Sequence, residues 1–74
     1  MKYIRNETAI KALGLRVKKL RKTQKISQKQ LAFEAEIQET QLRRIEKGQI
    51  NTGISTIVAI ANALDVSLKE LFDF

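Results

Sequence analysis

The sequence of 74 residues predicts an all-α domain, a five-helix bundle. Three observations carry this. Proline is absent and only three glycines occur, so little interrupts a helix. Apolar residues recur at three- and four-residue spacing. Two Ser-x-x-Gln/Glu segments have the form of a helix start, in which the serine hydroxyl takes a backbone N–H of the first turn.

Residues 1–5 read as an N-terminal arm. The first helix runs from about Asn6 to Thr23, with Asn6 as N-cap and Glu7 at the positive end of the helix dipole. Ile10, Leu13, Val17 and Leu20 form its inward stripe. Gly14 inside it weakens the helix by roughly 1 kcal/mol relative to alanine. It therefore marks either a later start or the close approach of a neighbour. Ser27 to Gln30 is the first capping box, and it opens a second helix to about Ala35 that buries Leu31 and Ala32. A third helix spans about Gln38 to Lys47 and buries Leu42 and Ile45, with Gly48 placed for a left-handed C-cap. After a loop over 49–53, a fourth helix covers roughly 54–64 with Ile57, Ile60, Ala61 and Leu64 inward. Ser67 to Glu70 is the second box and opens a fifth helix through Phe72, with Leu68 and Leu71 closing the core.

Composition narrows the chemistry. No cysteine or histidine is present, so a disulfide framework, Cys/His zinc sites and the commonest nucleophile–base pairs are excluded. The carboxylates are scattered and no glycine-rich phosphate loop occurs, so no catalytic residue, metal or cofactor is expected. No stretch approaches the roughly 18 apolar residues of a membrane span, and the N-terminus lacks the apolar core of a signal peptide. The expected compartment is the cytoplasm. The sequence ends directly after the fifth helix, so no ligand-sensing domain is expected.

The net charge is +6 at pH 7, and it is uneven. Residues 1–47 carry thirteen basic and five acidic side chains, against one and three in residues 48–74. Arg16, Lys18, Lys19, Arg21, Lys22, Lys25 and Lys29 form a basic run with no acid among them. One side of the molecule is positive and suits a polyanion, nucleic acid first.

The second and third helices are short and separated only by Glu36-Ile37-Gln38. Two short helices across a tight turn make a helix-turn-helix over 28–47, whose second helix fits a DNA major groove about 12 Å wide. The face of the third helix away from Leu42 and Ile45 offers Glu39, Thr40, Arg43 and Arg44.

At this point the sequence resembles the lambda-repressor/Cro-like, or XRE-type, helix-turn-helix domain family. The likeness runs from about Gly14 to Phe72 and rests on ordered pieces. These are Leu20-Arg21, Ile26-Ser27-Gln28, Leu31-Ala32, Ile45-Glu46-Lys47-Gly48 and the segment from Ala61 to Leu68. It implies sequence-specific binding of double-stranded DNA in transcriptional control, by a homodimer that reads two half-sites. It implies further that Gln28 touches a phosphate and braces the first residue of the recognition helix. Glu39, Thr40 and Arg44 then occupy base-reading positions, where arginine grips guanine, glutamate accepts from cytosine and threonine meets a thymine methyl. Arg43 reaches base or phosphate, and Gln38 a phosphate. Lys47, Gln49 and Asn51 stand where relatives touch the backbone, with Lys29 and Lys25 opposite. Arg21 and Glu46 resemble a buried pair that joins the first helix to the third. The sequence departs from the family pattern at Glu36, where glycine is usual, and near Thr52, where proline is usual. The first departure leaves the angle of the third helix open, and the second loosens the loop.

Phe72 and Phe74 carry more apolar surface than a short helix buries, and are expected at a dimer interface, with Tyr3 and Ile4 as alternative contacts. Another class stays open: an interaction module, antitoxin-like or bridging, with a protein partner. An anionic membrane surface is disfavoured because no exposed aromatic-rich face accompanies the basic residues.

Overall fold

The computed structural model describes residues 5–74. Among them are five helices and no strand: α1 (Glu7–Thr23), α2 (Gln28–Ala35), α3 (Glu39–Glu46), α4 (Ile54–Ala63) and α5 (Leu68–Leu71). Their bounds fall within a residue or two of those read from sequence, because the signals that start and stop them are local. Asn6 caps α1 by accepting from the Ala9 N–H at 2.9 Å. Ser67 and Glu70 form a complete capping box on α5. At α2 the expected box is only half made. The Ser27 hydroxyl accepts from the Gln30 N–H at 3.0 Å, but the Gln30 side chain turns forward to Glu34. An amide N–H finds a stronger acceptor in a carboxylate one turn on.

Four helices end in one way. Lys25, Glu36, Gly48 and Asp65 all have left-handed backbone, with φ of 59°, 57°, 69° and 57°. In each case the next N–H reaches back to the carbonyl five residues earlier: Ile26 to Arg21, Ile37 to Ala32, Gln49 to Arg44 and Val66 to Ala61. This is the Schellman ending, and Ile26, Ile37 and Val66 supply its usual apolar contact against the core. Glu36 thus keeps the turn that glycine would make, and α3 follows it directly. The left-handed conformation still costs a non-glycine residue about 1 kcal/mol. Glu36→Gly is therefore expected to raise stability by about 1 kcal/mol, and the melting midpoint by about 4–8 °C in a domain of this size. A thermal melt showing no rise would contradict the strain at Glu36.

Val17, Leu31, Leu42, Ile60, Leu64 and Leu71 are the large side chains at the centre, and α1–α3 and α2–α4 are the main packing pairs. Two expectations fail. Leu68 is 40% exposed, while Leu71 is fully buried. A single helical turn sends one side chain inward, and Leu71 takes that place. Ile10 is only partly buried, because it lines the open cleft beside Phe72 and Phe74 instead of entering the central cluster. Gly14 neither shortens nor breaks α1, and the residue itself is buried.

Candidate nucleic-acid interface

The polar supports of α3 meet at its last turn. Glu46 is buried there, and Arg21 of α1 meets its carboxylate with two hydrogen bonds, Nε to Oε2 at 2.7 Å and Nη2 to Oε1 at 3.0 Å. The same guanidinium donates from Nη1 to the Ile26 carbonyl at 2.9 Å. Gln28, the first residue of α2, donates from Nε2 to Glu46 Oε1 at 3.0 Å. Three helices thus converge on one carboxylate. A buried carboxylate needs donors, and this need places Gln28 at the last turn of α3 instead of bracing its first residue.

The far end of α3 is open. Gln38 is the N-cap residue, yet its side chain makes no capping bond, so the first-turn N–H groups remain available to water or an anion. Glu39, Thr40 and Arg44 are exposed on the outer face, and Lys47 follows at the C-cap. Arg43 differs from the other outward residues. It is half-buried and meets Glu39 one turn back at 3.4 Å. Arg44 makes no side-chain hydrogen bond or ion pair among the described residues, and its five donors stay available for a ligand. A partly exposed i,i+4 pair such as Glu39–Arg43 contributes at most a few tenths of a kcal/mol and is easily exchanged for another partner.

Lys29 is exposed in the first turn of α2, and Asn51 is exposed in the loop before α4. Arg5, just ahead of α1, reaches that loop by donating to the Gln49 carbonyl at 3.1 Å, and it pairs with Glu7. Phe72 and Phe74 are 41% and 59% exposed, with rings 6.0 Å apart, beside an open apolar cleft of about 380 Å³. Ile10, Leu13, Ile50 and Ile57 line it. Tyr3 and Ile4 lie outside the described residues. Among the described residues no group of acidic side chains suited to a metal occurs and no helix is long and apolar enough to cross a membrane.

Sequence reading did not find three features of this surface. The Gln28–Glu46 bond has no local signal. The left-handed residues Lys25 and Asp65 do have one, a polar residue before a β-branched one at a helix end. Exposed Phe33, Ile54 and Val58 each sit on a helix whose opposite face is buried.

Comparison with known proteins bears on this geometry. The model of the helix-turn-helix family matches residues 17–71. The immunity repressor protein of Bacillus phage phi105 is 36% identical over 59 residues, covering 80% of this chain and 41% of that protein. The chain therefore spans about two fifths of that repressor. The control protein C.BamHI of Bacillus amyloliquefaciens is 37% identical over 62 residues, covering 82% of this chain and 76% of that protein. Among solved structures, the restriction-modification controller protein C.AhdI of Aeromonas hydrophila superposes with a TM-score of 0.84 at 31% identity. The match covers 86% of this chain and 97% of that one.

Proposed function

From the premise that the chain belongs to the helix-turn-helix family, we infer how this DNA-binding transcriptional regulator, which is not an enzyme, meets its operator. α3 enters the major groove with Arg44, Thr40 and Glu39 towards base edges. Gln38, Lys29, Lys47 and Asn51 hold the phosphates that set its register, and Arg43 exchanges Glu39 for base or phosphate. Gln28 and Arg21 act through Glu46 and position α3, and Gln28 at the start of α2 also meets a phosphate. The observation that carries this reading is the contrast along α3: its last turn is clamped from two helices, while its outer face holds Arg44, exposed and without a side-chain partner among the described residues.

A homodimer is the proposed assembly. Phe72 and Phe74 are the proposed contact, and Ile54, Val58 and Leu68 are further exposed apolar residues on α4 and α5. The cytoplasm is the proposed compartment.

Selection from a random duplex library at near-physiological salt tests the reading. The expected result is an enriched palindrome with half-sites about one turn apart, bound with an affinity that falls steeply as salt rises. Binding without an enriched motif, abolished by salt, would reduce the interaction to unspecific attraction. The second reading is an interaction module for a protein partner, and Phe33, 79% exposed on α2, is the feature that favours it. It gains ground if no duplex is enriched and the chain forms a stable complex with another protein.

A further inference from the structure

Gly14 stands where α1 crosses the last turn of α3. A Cβ built on it would lie 2.2 Å from the backbone oxygen of Ile45 and 2.9 Å from that of Glu46. Ordinary carbon–oxygen contacts are about 3.3–3.6 Å, so the first approach is short by about 1 Å. Both neighbours are main chain, and no rotamer change relieves the overlap. A second glycine marks the same crossing. A Cβ on Gly48, whose φ is +69°, would lie 2.7 Å from Lys11 Cγ and 3.0 Å from Lys11 Cα. Residues 11–14 and 45–48 therefore meet almost backbone to backbone.

This seat adjoins the carboxylate clamp at Glu46, so the polar and backbone-to-backbone supports of α3 lie together at its last turn, while Ile37 and Leu42 pack the rest of it on the core. The opposite end, Gln38 to Thr40, is exposed and has no side-chain cap. An eight-residue helix is about 12 Å long, so a shift of about 1 Å at the seat is carried along the whole outer face. Hydrogen bonds to base edges hold over only about half an ångström of donor–acceptor distance.

We propose that Gly14, which touches no DNA, is a specificity-determining positioning residue: the absence of its side chain sets the depth and tilt at which α3 stands. This rests on the proposed reading of DNA by α3.

The test compares Gly14→Ala with Leu15→Ala, a matched control because Leu15 is exposed on the same helix. Two quantities are read: backbone amide NMR shifts, and affinity for the selected duplex against an unrelated duplex at one salt concentration. For Gly14→Ala the expected result is altered amide shifts through α3 and at least about a tenfold loss on the selected duplex. Affinity for the unrelated duplex stays within about twofold, because that binding depends on net charge. Leu15→Ala leaves all of these unchanged. Native affinity for the selected duplex, or shifts confined to α1, would overturn the proposal. If Gly14→Ala fails to fold, it is remade in the Glu36→Gly background. Failure there as well would make Gly14 a requirement of the fold and overturn the positioning role. If the native chain enriches no duplex, the DNA reading fails, while the α3 amide shifts still decide whether Gly14 holds the helix.

Discussion

Glu46→Ala is expected to lower stability by about 3–5 kcal/mol, because it strands the Arg21 guanidinium in the interior. A domain of this length holds about 4–11 kcal/mol in total, so the variant sits near the edge of folding at 25 °C. The loss does not mean that the native pair contributes that much. Burying both charges costs solvation, which their attraction and hydrogen bonds roughly offset. Arg21→Met combined with Glu46→Leu is therefore expected to recover much of what either single change loses. Glu46→Gln should fall between the native chain and Glu46→Ala, since it keeps an acceptor but loses the charge. Urea unfolding of these three variants and the native chain checks the order. A Glu46→Ala midpoint equal to the native one would show that the pair bears no structural weight. Gln28 shares the carboxylate, so Gln28→Ala should weaken the clamp without removing it.

Arg44→Ala is expected to weaken binding to the selected duplex by about 1–3 kcal/mol, roughly 5- to 150-fold, and to relax preference at one position of each half-site. Stability should hardly change, because the side chain is exposed and makes no side-chain bond among the described residues. Lys47→Ala is the informative contrast. If Lys47 meets a phosphate, its loss should weaken all duplexes alike and lower the salt slope by about one. Repeating the library selection with each variant separates the two roles. A motif unchanged in Arg44→Ala would remove Arg44 from base reading and move attention to Arg43, whose release from Glu39 would then be part of binding.

The sequence by itself determined the number of helices, most of their caps and the helix-turn-helix spacing, because these depend on residues within one or two turns of each other. Asn6, Ser27 and Ser67 cap through atoms three residues away. The periodicity of Leu31, Leu42, Ile60 and Leu64 already marks an inner face. Glu36 was less legible, because its left-handed backbone is unfavourable for its own residue type and is held by packing of Ile37 on the core. Tertiary structure alone decided that Gln28 serves Glu46, that Leu71 and not Leu68 enters the core, and that among the described residues Arg43 has a charged partner and Arg44 has none. It also decided what Gly14 is for. Locally a glycine only weakens a helix; its value here lies in two carbonyls that the chain reaches some thirty residues later. Such contacts follow from how helices cross, and the crossing is set by the whole core, so no local pattern encodes it.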